Sequence, residues 1–195
     1  MPVAVLEKYL PKETLPYLKR WFADNAIHIH ITRGRHSKLG DYRTMPDATH
    51  KITINSTLPP YLFFFVLTHE LAHLIAFKRY GRKISPHGSE WKRTFREMLL
   101  ESIEVYEDAI KPAILKYALA PKANFMSSPD LVRYYESKTG NAGDVFVEAL
   151  PPGARFCYRG REFRLKEKLK INYLCQETAT GRNYTFKPLA KVQIL

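Results

Sequence analysis

His69-Glu70-Leu71-Ala72-His73 puts two imidazoles and a carboxylate within five residues. At about 100° per residue along a helix, His69 and His73 stand one turn apart on the same face, so both can reach one metal ion while Glu70 projects beside them. Zinc hydrolases use this arrangement: the metal activates a water and the glutamate takes its proton. With 7 His and 13 Glu in 195 residues, the pattern is expected by chance about 0.02 times in the chain. The competing reading is a pair of core histidines satisfied by hydrogen bonds. The surrounding run from Tyr61 to Phe77 is apolar on nearly every side, which predicts a helix buried in a domain core, where ligating or charged side chains need partners.

A catalytic zinc site takes three protein ligands and keeps one position open. The metzincin pattern would place the third ligand six residues after His73, but Arg79 stands there. Further on, Ser85-Pro-His-Gly-Ser-Glu-Trp91 leads into Trp91, Phe95, Met98 and Leu99 at helical spacing, which reads as a loop opening an amphipathic helix. His87 lies at that opening, where a fixed backbone could aim it. Glu90 and Glu97 are rival donors from the same region, and spacing alone does not choose among the three.

The succession of His69-Glu-Leu-Ala-His73, a short basic stretch and His87-Gly-Ser-Glu-Trp91 resembles the SprT-like metallopeptidases, a family that includes the Spartan proteases. The resemblance extends upstream through Arg35-His-Ser-Lys-Leu-Gly-Asp-Tyr42 and Ile52-Thr-Ile-Asn-Ser-Thr-Leu58, and so covers residues from about 20 to 100. It implies an α+β fold: a zincin-like helical core with a small β-hairpin or sheet. It also implies that His87 is the third ligand to one Zn²⁺ per chain, that Glu70 is the catalytic residue, and that the substrates are proteins bound or crosslinked to DNA. Such relatives often carry a C-terminal zinc ribbon. Here Cys157 and Cys175 form no Cys-x-x-Cys pair and cannot build one, so two free thiols packed in a small core are expected.

The elements that must position these groups can be read from pattern. Residues 2–23 are an amphipathic helical candidate that Pro11 and Pro16 should split. Ile27, Ile29 and Ile31 alternate with His28, His30 and Thr32, which predicts a strand with those two histidines toward solvent. A second strand at 51–57 should pair with it, with Lys38-Leu-Gly-Asp-Tyr-Arg43 as a middle strand. Helices are expected at about 59–80, 87–101 and 103–120, followed by a short one opened by Ser128-Pro129 and a break at Gly140-Asn-Ala-Gly143. From 144 onward the expectation is short strands at 145–150, 155–158, 162–174, 183–186 and 192–195, forming a small barrel or curled sheet. The predicted organisation is thus a metallopeptidase domain over 1–122, a linker with a short helix over 123–143, and a small C-terminal all-β module over 144–195.

The net charge of +12 is concentrated in that module, whose residues 151–195 carry +7. Basic proteins attract polyanions by counterion release, without sequence preference and with steep salt dependence. In Arg164-Leu-Lys-Glu-Lys-Leu-Lys-Ile171, strict alternation would display Arg164, Lys166, Lys168 and Lys170 in a row, a nucleic-acid-binding candidate. Exposed rings among Phe156, Tyr158, Phe163, Tyr173, Tyr184 and Phe186 would favour single-stranded DNA, although most are expected in the core. No basic segment followed by an unbroken apolar one opens the chain, so the expectation is a soluble cytoplasmic protein without a membrane partner. Oligomeric state is not legible. Two rival functions remain at this stage: a general cytosolic metallopeptidase indifferent to DNA, and a non-catalytic nucleic-acid-binding module with a structural metal.

Overall fold

Prolines set the start of the chain's first helix. Two 3-10 turns, Glu7–Tyr9 and Lys12–Thr14, precede α1 (Leu15–Phe22), which takes Pro16 in its first turn, where a missing N–H breaks no helical bond. This is a computed structural model describing residues 5–23, 25–35, 38–139 and 143–195. Residues 2–4 of the helical candidate, His36 and Ser37 of the Arg35–Tyr42 segment, and Gly140, Asn141 and Ala142 of the predicted break lie outside the described residues.

Three strands follow: β1 (Ile27–Thr32), β2 (Gly40–Thr44) and β3 (His50–Asn55). The sheet order is β1-β3-β2, with β1 parallel and β2 antiparallel to β3. The segment around 38–43 is therefore an edge strand, and β3 takes the centre that was expected for it. The reason is burial: Ile52, Thr53, Ile54 and Asn55 are all buried, whereas no residue of β2 is. Ile27 and Ile29 face the core, and His28 and His30 face solvent, as their alternation requires.

Helix α2 (Pro60–Tyr80) runs through the core, with Phe63, Phe64, Leu67, Leu71, Ala72 and Leu74 wholly buried. It is long and apolar enough to cross a membrane, but 67% of its most apolar window is buried inside the protein. Helix α3 (Ser89–Glu101) packs against it through Trp91 and Phe95. The single helix expected over 103–120 is instead a 3-10 turn, Ile103–Val105, and α4 (Lys111–Leu119). Pro112 explains the split: it is tolerated in the first turn of α4 but would break a helix running through it.

Helix α5 (Pro129–Thr139) belongs to the first core, because Leu131 and Tyr135 are buried in the same cluster as α2. Phe125 also meets Phe65 at 6.1 Å, and the Tyr117 hydroxyl donates to the Lys122 carbonyl at 2.5 Å. The segment predicted as a linker over 123–143 is thus largely packed structure. The chain divides into compact units Met1–Tyr135 and Glu136–Leu195, a boundary later than the predicted 122.

The second unit is a six-stranded antiparallel sheet of β4 (Asp144–Phe146), β5 (Arg155–Tyr158), β6 (Arg161–Lys168), β7 (Tyr173–Glu177), β8 (Asn183–Phe186) and β9 (Lys191–Ile194). The order is β4-β9-β5-β6-β7-β8. Phe186 on β8 meets Phe156 on β5 at 5.3 Å although two strands separate them, so the sheet curls around its core. Arg159 and Gly160 join β5 to β6 with φ of 52° and 73°, the left-handed pair that a two-residue hairpin turn needs. The long strand expected over 162–174 folds back at 169–172, where the Leu169 N–H donates to the Asn172 carbonyl at 2.8 Å. Cys157 and Cys175 are free thiols, and burial of Cys175 in this core pushes its pKa up to about 11.

Candidate metal centre

Helical geometry brings the His69 and His73 rings together on α2 with centroids 5.2 Å apart. His87 reaches them from the loop before α3. That loop is a tight turn in which the His87 and Gly88 N–H groups both donate to the Ser85 carbonyl, at 3.1 and 3.0 Å. A Cβ on Gly88 would come within 3.1 Å of the Ser85 side chain, so this approach favours glycine. The Nε2 atom of His87 lies 3.2 Å from Nε2 of His69 and 3.1 Å from that of His73.

Imidazole nitrogens 2.0–2.1 Å from a tetrahedral zinc are about 3.3 Å apart. The separations here are close to that value, and the three donor atoms all lie within 4.8 Å of one another. A hydrogen-bonded histidine cluster satisfies the geometry less well, since one Nε2–H on His87 cannot serve two partners at once. Burial, and then the neighbouring histidines, hold His69 near pKa 3 and His73 near 4, while burial and Lys92 also lower His87. All three are therefore neutral around pH 7, the form that donates a lone pair to a metal. Chemistry and spacing both fit a borderline-soft dication such as Zn²⁺.

Aromatic side chains fix the rings. Trp91 is fully buried and meets His69, His73 and His87 with centroids at 4.7, 5.3 and 4.6 Å, and its Nε1–H donates to the His69 carbonyl at 3.4 Å. On another side Tyr42 stacks on His73 at 5.8 Å, and its hydroxyl meets Nδ1 of the buried His50 at 3.0 Å.

Glu70 is buried and faces β2. Its pKa is raised to about 8, by burial first and by Asp41 second, against the lowering effects of Lys38, Arg35 and a hydrogen bond from the Tyr42 backbone N–H. A dication among the three imidazoles would favour the carboxylate form. A Cβ on Gly40 would lie 2.6 Å from Glu70 Oε1 and 2.7 Å from Val66 Cγ1, so β2 can approach the carboxylate only because residue 40 has no side chain. Three imidazoles and a shielded carboxylate can together bind a metal and move a proton beside it.

The SprT-like family profile matches residues 16–107, which hold every group just described. Residues 16–107 are a SprT-like domain. A relative named Protein SprT, from Glaesserella parasuis serovar 5 (strain SH0165), is 44% identical over 41 residues, which is 21% of this chain and 26% of that protein. The match thus spans about a quarter of the relative's length. No solved structure matches the chain.

Within the SprT-like domain the rival third ligands are engaged elsewhere. Glu97 pairs with Arg79 at 2.5 Å, and Glu90 lies on the surface against Ser89 at 3.0 Å. Gly40, His50 and Trp91 are site residues that pattern reading did not assign. Gly40 and Trp91 do stand inside the two quoted segments, so their signal was adjacency to the motif; His50 carried none.

The basic residues lie in the second unit, outside the matched segment. They do not form the row that strict alternation predicts, because the β6–β7 register slips between Leu165 and Glu167. Arg164 stands opposite Gln176 on the outer face, Lys166 is the extra residue of the bulge, and Lys168 stands opposite the buried Tyr173. Lys170 falls beyond the strand in the turn. A bulge re-aims side chains in this way. Phe156, Phe163, Tyr173 and Phe186 are buried, which leaves Tyr158 and Tyr184 as the partly accessible rings of the six.

Proposed function

We propose that the SprT-like domain is a zinc-dependent endopeptidase whose substrates are proteins bound or crosslinked to DNA. The observation that carries the chemistry is the convergence of His69, His73 and His87 beside a buried Glu70. In this reading the three histidines hold one zinc ion, which when bound supplies a Lewis acid and lowers the pKa of water toward ~7. Glu70 takes the proton released at the nucleophile and passes it to the leaving amine. Trp91 and Tyr42 hold the imidazoles in orientation. Among the described residues β2 is an edge strand, and its outward main-chain groups other than the Tyr42 N–H, which donates to Glu70, would align an extended chain without requiring a particular side chain of the substrate. The DNA-linked substrate class is supported by the family and by the basic second unit.

The test is incubation of the purified protein with zinc and a DNA-binding protein, with and without DNA, alongside Glu70→Gln and His87→Ala. Expected results are DNA-dependent cleavage by the wild type, none by Glu70→Gln with zinc retained at one per chain, and lowered zinc content in His87→Ala. Cleavage indifferent to DNA would leave a general peptidase. Zinc binding with no cleavage of any protein would leave a structural metal. Equal zinc retention in both variants would remove His87 from the ligand set.

A further inference from the structure

β2 runs alongside α2 and meets it at alternate residues. Gly40 lies beside Val66 and Glu70, and Tyr42 stacks on His73 with the ring planes only 6° apart. His50 of β3 stands two residues before Ile52, the partner of Tyr42, so His50 and Tyr42 are diagonal neighbours on one face of the sheet. The Tyr42 hydroxyl meets Nδ1 of His50 at 3.0 Å and Oγ1 of Thr44 at 3.4 Å. His50 is 3% exposed, and its ring packs edge-on against Phe77 at 5.6 Å, one helical turn beyond His73.

Tyr42 therefore touches both halves of the candidate centre: its main-chain N–H donates to the Glu70 carboxylate, and its ring backs His73. It sits on an edge strand and is only half-buried, so packing restrains its ring from one side. A hydrogen bond at the far end of the ring, to a partner that is itself immobile, restrains the swing that packing leaves open. His50 is such a partner, held on the central strand and wedged against Phe77. Among the described residues the cluster of metal donors is His69, His73 and His87, so His50 acts from outside it. We infer that His50 is a positioning residue of the metal centre, which through the Tyr42 hydroxyl sets the orientation of the His73 ring and the place of the Glu70 carboxylate together. A hydrogen bond that only steadied the sheet would affect folding and leave metal affinity and turnover alone. The inference rests on reading the three histidines as a metal site with Glu70 as its proton acceptor.

The test compares Tyr42→Phe, His50→Phe, the double variant and His50→Asn in the full chain. Each is read by zinc affinity in competition with a chromophoric chelator, by the visible spectrum of the Co²⁺-loaded protein, and by kcat and KM for cleavage of a DNA-binding protein with DNA present. Thermal melts of the metal-free proteins report folding. Partners that orient a metal ligand typically contribute about 10–100-fold to metal affinity or activity, so Tyr42→Phe and His50→Phe should each lose about tenfold in zinc affinity or kcat. KM should change little, and the Co²⁺ bands should shift. Because His50 acts through the hydroxyl, the double variant should be no worse than either single one, the non-additivity of a shared contact. His50→Asn, whose amide offers a donor and an acceptor near the place of Nδ1, should recover most of the loss. Tyr42→Phe keeps the ring, so it tests the hydroxyl even if His50→Phe fails to fold. Additive losses, or a lower melting temperature with full zinc affinity, an unchanged Co²⁺ spectrum and full kcat, would overturn the inference and leave the pair as a sheet support. If the wild type binds zinc but cleaves nothing, the peptidase reading fails by itself, and the zinc and Co²⁺ measurements still decide the role of His50. A wild type that binds neither metal would overturn both.

Discussion

At residue 40 the requirement is steric. Gly40 is extended enough for any residue, having no left-handed φ, yet a methyl group there would collide with Glu70 and Val66. Gly40→Ala should therefore fold, at a cost of about 1–3 kcal/mol for overpacking, and keep its zinc, because His69, His73 and His87 are not displaced. Turnover should suffer: shifting the Glu70 carboxylate by about 1 Å can cost on the order of 10²-fold. With labelled casein as substrate, kcat should fall with little change in KM, and adding Val66→Ala should restore part of it. Unchanged kcat would show that Glu70 is not positioned by this contact. The site's legibility divides along the same lines. His69, Glu70 and His73 are readable because helical periodicity alone brings them together. His87 is placed by a turn fourteen residues from His73, and spacing left Glu90 and Glu97 equal to it until resemblance separated them. Gly40 acts by lacking a side chain, which no pattern of side chains reports.

Elements were legible where their signal was local. The apolar run of α2, the alternating isoleucines of β1 and the proline-led starts of α1 and α5 all follow from short-range pattern. Sheet order did not, because pairing depends on contacts between distant segments: β2 looked central by sequence position and is the edge by burial. The β6 bulge was likewise hidden, since one extra residue against β7 reverses the faces of Lys168 and its neighbours without changing composition. The other end of β7, away from that hairpin turn, offers a prediction about acid stability. Glu177 is buried, and Arg161 first and Thr180 second hold its pKa at about 2, below the usual 4.5. A depressed carboxylate pKa stabilises the fold fully above the unfolded value and loses that contribution as pH falls from about 4.5 toward 2. Glu177→Gln should lower the melting temperature at neutral pH, and the gap from wild type should close on acidification through that window. A gap independent of pH would mean that the ion pair with Arg161 contributes nothing to folding.

The molecule's two units each have their own buried cluster, and the SprT-like match, residues 16–107, ends inside the first. That match is shorter than the folding unit. Phe65 on α2 is 1% exposed and is enclosed by Tyr117, Phe125 and Tyr135 at 5.6, 6.1 and 6.4 Å, all beyond the matched segment. A chain ending at residue 107 should therefore fail to fold, since it opens a cavity beside the motif helix, whereas one ending at Tyr135 should fold and bind zinc. Both tryptophans, Trp21 and Trp91, lie in the first unit, so tryptophan fluorescence reports its unfolding. A ligand that binds only the native state adds about 2.7 kcal/mol at one hundred times its dissociation constant, which for a unit of this size corresponds to a shift on the order of 10 °C. Zinc should raise the tryptophan-detected midpoint by that order in the full chain and equally in the chain ending at Tyr135, with reversal by chelator. A zinc-dependent shift lost on truncation would place a ligand in the second unit, and no shift in either chain would remove the metal centre itself.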